Sequence, residues 1–342
     1  MFVIYINDLP EVLNEGSLAF LFADDTKMFR QIKDESDLMI QQDDINNAVQ
    51  WSNTWLLKFH PDKCIHLDIG SCREINNSYH ANLNGHPLKR SVCEKDVEKK
   101  FKNDPCKHTY HYDMDGVILK RSKCEKDIGV HVDDELNFKS HINKAVNKAK
   151  RIMAITHKTF STLDKTTFPL IFKGLIRPQL EYGAPVWSPH HNELKKKIES
   201  VQRLATKRLP GMKDLEYHQR LRKLKLPTLA YRRVRGDMIQ VFKLIMPIKK
   251  KGYDRSLPQL LDLKTDLGIR IVSGHDYQIY DKGKAKTDIK KYDFCYRICR
   301  LWNSLPSEVI NSPTVRAFEI ALDKYWENQP LLYDKFDADI IT

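Results

Sequence analysis

The sequence predicts an α+β fold, an antiparallel hairpin and a helix followed by a mainly helical remainder, and three observations predict it. Two short apolar runs, Leu18 to Phe22 and Thr26 to Phe29, flank an Ala23-Asp24-Asp25 break, the pattern of a β-hairpin with carboxylates at its tip. From Asp34 onward apolar residues recur at helical spacing. Beyond Asn137 the chain is dominated by segments with apolar residues on one helical face and Lys or Arg on another. At 342 residues the chain exceeds one average domain, so two or three substructures are expected.

Charge is unevenly distributed. Residues 1–70 carry five Lys/Arg against twelve Asp/Glu, whereas residues 141–255 carry 27 against 8, within a total of +12. An acidic head and a basic middle suit a protein that handles phosphodiesters, because Lys and Arg displace counterions from the backbone phosphates. A solvated lysine-rich surface gives the same count. The 41% apolar and 30% charged content is that of a folded chain. The seven cysteines are odd in number and lack framework spacing, and no signal peptide precedes them, so reduced thiols in the nucleus or cytoplasm, and no secretion, are expected. No apolar run approaches the ~18 residues that a membrane span needs, so no membrane partner is expected.

Taken in order, Phe2 to Ile6 is a short apolar element closed by Leu9-Pro10, with Asp8 in a turn position. The hairpin follows. Asp24 and Asp25 offer the oxygen ligands that Mg²⁺ takes, although acids are also ordinary turn residues. Asp34 is a predicted N-cap for a helix whose face runs through Leu38, Ile45, Ala48, Val49, Ser52, Trp55 and Leu56, with Trp51 and Trp55 read as core. His60-Pro61-Asp62 breaks it, and Ile65, Leu67 and Ile69 alternate as a strand.

A tandem repeat follows. Residues 79–97 align with 110–128 at an offset of 31, with eleven of nineteen positions identical. The second copy runs into Ile128-Gly129-Val130 and is expected to be the structural one; the first runs into the charged stretch Glu98 to Lys102 and is expected to be looped out. Cys93, Cys106, His108 and His111 have no standard zinc spacing.

In the basic middle, Ala145, Ala149, Ile152, Met153 and Phe160 trace one helical face and Lys144, Lys148 and Arg151 another. Leu194, Ile198, Val201, Ala205 and Leu209 mark a second amphipathic helix with Lys195, Lys196, Lys197, Arg203, Lys207 and Arg208 on its polar side. Residues 252–293 show no period and are read as loops and extended pieces. Cys295 and Cys299, four apart, are read as a buried helical face. The predicted segments are 1–71, 72–136, 137–250 and 251–342.

Phe20-Leu21-Phe22-Ala23-Asp24-Asp25, preceded by Phe2 to Pro10 and followed by Trp51, Trp55-Leu56 and Phe59-His60-Pro61-Asp62-Lys63-Cys64, resembles the catalytic motif and its flanks in reverse transcriptases of non-LTR, LINE-type retrotransposons. Ile171 to Pro189, with Gly174-Leu175-Ile176-Arg177-Pro178-Gln179-Leu180-Glu181-Tyr182-Gly183, is similar to a later block of that family. So are Tyr217 to Asp237 and Phe294 to Trp326. The resemblance spans nearly the whole chain apart from the extra repeat and includes no endonuclease.

The resemblance implies a partial palm (hairpin plus helix), a basic helical thumb and a carboxyl-terminal helical region. It implies RNA-directed DNA polymerase chemistry, in which two Mg²⁺ ions promote attack of a primer 3′-hydroxyl on a dNTP over an RNA template. Asp24 would ligate metal, Asp25 would support it, and Ile128, Gly129 and Val130 would seat the primer end. Lys144, Lys148 and Arg151 would track an RNA–DNA or DNA duplex. Lys63 is either a phosphate contact or a solvated lysine, and Arg177 either meets nucleic acid or holds Glu181 or a helix end. The family's further metal aspartate would lie before Met1, so this polypeptide is expected to be inactive alone. A non-enzymatic nucleic-acid binder, or a relic without function, are the other readings.

Overall fold

The computed structural model describes residues 6–70, 110–160, 163–249, 261–285, 287–337 and 340, with backbone alone at 82–83, 86–87 and 247–249. The chain is α+β and divides into two compact units, Met1–Glu125 and Lys126–Thr342.

In the first unit, β1 (Ser17–Phe22) and β2 (Asp25–Arg30) pair antiparallel from Ser17↔Arg30 to Phe22↔Asp25. Directly opposed residues share a face of the ribbon. Leu21 and Met28 therefore face inward with Ala19, packing with Ile6, Leu9, Ala48 and Trp51. α1 (Glu35–Thr54) starts where the sequence pattern indicates: the Asp34 carboxylate accepts from the backbone N–H groups of Ser36 and Asp37 at 2.9 and 3.3 Å. Ile45, Ala48, Trp51 and Ser52 are its buried face. Trp55 departs from the expectation. The helix stops at Thr54, Leu56 turns into the left-handed region at φ 58°, and the Trp55 ring is left 47% exposed.

β3 (Ile65–Leu67) pairs in parallel with β8 (Lys120–Ser122), inside the second repeat copy. Between them, β4 (Asn82–Leu83) pairs with β5 (His86–Pro87), and β6 (Asp113–Met114) with β7 (Val117–Ile118). Subtracting the repeat offset of 31 converts the β6–β7 register, Asp113↔Ile118 and Met114↔Val117, into the β4–β5 register, Asn82↔Pro87 and Leu83↔His86. Both copies thus form the same hairpin. The Asp115-Gly116 turn of the second has φ of 55° and 79°, which only residues tolerant of the left-handed region supply readily. Tyr112, Met114 and Leu119 of this copy are buried with Ile45. Tyr112 aligns with Ala81 in the first copy, so the second copy carries the larger apolar anchor. Residues 98–102 of the first copy's continuation, and Cys93, Cys106 and His108, lie outside the described residues.

The second unit begins within β9 (Cys124–Asp127), which pairs with β10 (Val130–Asp133). The Asp133 carboxylate accepts from the N–H groups of Asn137 and Phe138 at 2.9 and 2.8 Å, fixing the turn into α2 (Lys139–Thr159). α3 (Thr167–Ile171) widens into a π-helical turn over Phe172–Ile176, closed by a 2.8 Å bond from the Arg177 N–H to the Phe172 carbonyl. Pro178, without an N–H, then opens α4 (Pro178–Glu181), followed by α5 (Ala184–Trp187).

α6 (Asn192–Lys207) and α7 (Tyr217–Leu224) complete one core, built on Val146, Ala149, Phe172, Trp187, Ile198 and Leu221. α8 (Leu229–Lys249) packs against α5 and α6. Within residues 252–293, read from sequence as loops and extended pieces, Thr287 caps a short helix, α9 (Asp288–Tyr292). Five residues leave no room for a periodic signal. The remainder carries a single bridge, Leu263↔Ile279, among the described residues. α10 (Phe294–Asn303) follows, and α11 (Ser307–Ile310) then packs on α12 (Val315–Tyr325), ahead of α13 (Pro330–Tyr333). α8 packs on α10, α12 and α13, and with them forms a second core around Phe242, Trp302, Phe318 and Trp326.

Candidate functional site

The hairpin places Asp24 in the two-residue turn and Asp25 at the first position of β2, both exposed. Ala23 turns the chain at φ 53°, a conformation its small side chain tolerates better than a branched one. By register Asp25 shares its face with Phe22, Phe20, Leu18, Lys27 and Phe29. Leu18, Phe20 and Phe22 are 59%, 58% and 59% exposed, and the rings of Phe20 and Phe29 meet edge to face at 5.5 Å.

Carboxylates on two neighbouring residues of an exposed tip offer the oxygen ligands that a divalent cation takes. Among the described residues no group of three or more His, Cys, Asp or Glu side chains gathers where it could hold a metal. The pair fits one part of an acidic set for Mg²⁺, not a complete two-ion clamp, and no transfer step follows from these residues alone. Asp8 serves the fold instead, preceding the Leu9–Val12 turn and accepting a 3.0 Å bond from the Trp51 indole. Asp44 carries no signal in the sequence. It is fully buried and accepts from the Asn14 N–H at 2.7 Å, the Asn14 amide at 2.9 Å and the Ser17 hydroxyl, tying the hairpin to α1.

Ile128 and Gly129 form the β9–β10 turn with φ of 41° and 84°, and Val130 is buried beside them. Their neighbour is the turn after α4. The Tyr182 hydroxyl donates to the Ile128 carbonyl at 2.8 Å, and a Cβ on Gly129 would lie 2.9 Å from the Tyr182 ring. A Cβ on Gly183 would lie 2.9 Å from a Val130 methyl. The Tyr182 side chain therefore seats the backbone of the hairpin tip.

α2 buries Ile142, Val146, Ala149 and Met153 and leaves Lys144, Lys148 and Arg151 exposed, one cationic stripe at i, i+4 and i+7. On its inner face, His141 accepts at Nδ1 from the His131 N–H at 3.2 Å. Burial, then the nearby His131 and Lys144, hold its imidazole down to about 4. Lys63 is exposed at the end of the Pro61–Lys63 turn in the first unit. Arg177 is mostly covered, with its guanidinium 3.6 Å from Glu181. Glu181 also takes a two-pronged pair from Arg232 at 2.9 and 3.0 Å.

Sequence patterning missed the charges buried on α6 and α8. Glu199 accepts from the Tyr217 hydroxyl at 2.6 Å and from the Leu229 N–H at 3.0 Å. Burial pushes its carboxyl up, against the pull of these donors and of Arg233. Arg233 is itself buried, and its Nη1 has no hydrogen-bond partner among the described residues. Asp237 holds Arg297 by two bonds of 3.0 Å.

No helix among the described residues is long and apolar enough to cross a membrane. Comparison with protein-family models, with curated proteins and with solved structures finds no match to this chain.

Proposed function

We propose that this chain carries the distal palm hairpin, thumb and downstream helical region of an RNA-directed DNA polymerase of the non-LTR retrotransposon kind, and that alone it holds nucleic acid without extending a primer. The observation that carries this reading is the tip of β1–β2, where Asp24 occupies the turn and Asp25 the next position, both open to a cation. In this reading Asp24 and Asp25 are the catalytic, metal-facing acids. Mg²⁺ and dNTP belong to an assembly in which a further carboxylate joins Asp24 and Asp25, since no third acid gathers with them among the described residues. Ile128, Gly129 and Val130 border the primer end, while Lys144, Lys148, Arg151 and Lys63 meet phosphates of an RNA template or an RNA–DNA or DNA duplex. Arg177, already engaged with Glu181, supports the thumb rather than reaching out. A nuclear or cytoplasmic setting goes with such partners.

The second reading, a nucleic-acid binder with no nucleotidyl transfer in any assembly, is favoured by the exposed stripe on α2. Primer extension with Mg²⁺ and dNTPs separates the two when a polypeptide bearing an upstream palm is supplied in trans. Extension that Asp24→Ala abolishes supports the polymerase reading. Its absence, with salt-sensitive RNA binding retained, supports the binder.

A further inference from the structure

We propose that the rings of His191, His190 and Tyr292 form a stacking platform for the bases of single-stranded nucleic acid, with Lys195, Lys290 and Lys291 drawing in its phosphates. This rests on the nucleic-acid reading above and names the strand form that it takes. His190 lies parallel to Tyr292, with centroids 4.2 Å apart and planes 3° apart, and the His191 ring stands beside it, 3.8 Å away centre to centre and tilted by 43°. The three rings come from the segment before α6 and from the end of α9, so two separate elements converge to build the parallel pair and the tilted ring at its edge.

The stack does not resemble core packing. The Phe242 and Phe318 rings of the second core also stack, at 4.3 Å, but both are fully buried and apolar. Here His191 is exposed, and His190 and Tyr292 are only partly covered. Burial, and then His191, hold the His190 imidazole below its ordinary range, so the middle ring is neutral near neutral pH and stacks without charge. His191 occupies the N-cap of α6 yet caps no N–H of the first turn, which leaves its exposed ring beside the parallel pair.

The surroundings are cationic. Lys291 Nζ lies 4.9 Å from the Tyr292 ring centre and Lys290 Nζ 5.6 Å from that of Tyr296, while Lys195 and Asp288 also face His190. Rings that accept any base face, set among lysines, match how single strands are held without sequence preference.

The test uses the full chain and fluorescence anisotropy with three probes: a short oligothymidylate, an abasic strand of equal length, and polyglutamate. The oligothymidylate is expected to bind about tenfold more tightly than the abasic strand. His191→Ala should erase that preference, and His191→Phe should keep it. Lys144→Gln with Lys148→Gln should weaken both strands alike. Equal affinity for the two strands, a preference that survives His191→Ala, or polyglutamate binding as well as oligothymidylate would overturn the platform while leaving charge-driven nucleic-acid binding intact. If no strand binds at low salt, the nucleic-acid reading falls with it.

Discussion

The Tyr182 hydroxyl donates a 2.8 Å hydrogen bond to the Ile128 carbonyl, and its ring lies so close to Gly129 that an added Cβ would stand 2.9 Å away. One side chain thus seats a hairpin turn whose residues both lie at positive φ, an arrangement costly for a branched residue such as Ile128. Gly129→Ala meets both the φ of 84° and the ring, and is expected to cost about 1–3 kcal/mol. Tyr182→Phe loses only the hydrogen bond, about 0.5–1.5 kcal/mol. Urea unfolding of the two variants checks the order; a milder effect of Gly129→Ala would refute it.

Glu199 and Arg233 are buried charges of opposite sign that attract each other, and they are expected to behave as a unit. Glu199→Leu alone removes the carboxylate that attracts the buried Arg233 guanidinium most, ahead of Asp237 and Glu181, and should destabilise by about 3–5 kcal/mol. The double variant Glu199→Leu, Arg233→Met removes both charges and should be milder than either single change. Additive losses in denaturant midpoints would show that the two do not interact.

His141 sets a pH dependence. Its folded value is depressed from 6.5 to about 4, so between those values the unfolded chain binds a proton that the folded chain refuses. The stability linked to this group is complete above pH 6.5 and is lost as the pH falls toward 4. NMR titration should find the His141 ring neutral at pH 5.5, and His141→Gln should flatten the stability profile across that window. A ring that titrates near 6.5 would contradict this.

The α2 stripe should be visible in salt. Replacing Lys144, Lys148 and Arg151 together by Gln is expected to lower the slope of log K against log salt by about 2 to 3, since each phosphate contact contributes roughly 0.7–0.9. Arg177→Ala is the internal contrast, because its guanidinium faces Glu181, and should leave the slope unchanged. An unchanged slope in the triple variant would remove the stripe from the interface.

What the sequence disclosed followed from how local each cause was. Leu194, Ile198, Val201 and Ala205 are buried as their spacing indicates, because one helix face suffices to fix them, and Leu209 is buried just past the end of that helix. The hairpin was legible for the same reason: its two strands are joined by two residues. Trp55 misled, since periodicity carries on past the point where Leu56 turns the backbone. Asp44 and Glu199 were invisible as buried acids because their donors, Asn14 and Leu229, lie 30 residues away in the chain. The Ile128–Gly129 turn was legible as a candidate; that Tyr182 holds it was not, because the two meet across 54 residues.

The most direct measurement is retention of a primer–template RNA–DNA duplex by the full chain over a salt series, with Mg²⁺ and dNTPs present so that binding and extension are read together. The account predicts salt-sensitive binding that Asp24→Ala leaves in place, and no lengthening of the primer. Extension by this polypeptide alone that Asp24→Ala abolishes, or no retention even at low salt, would contradict it.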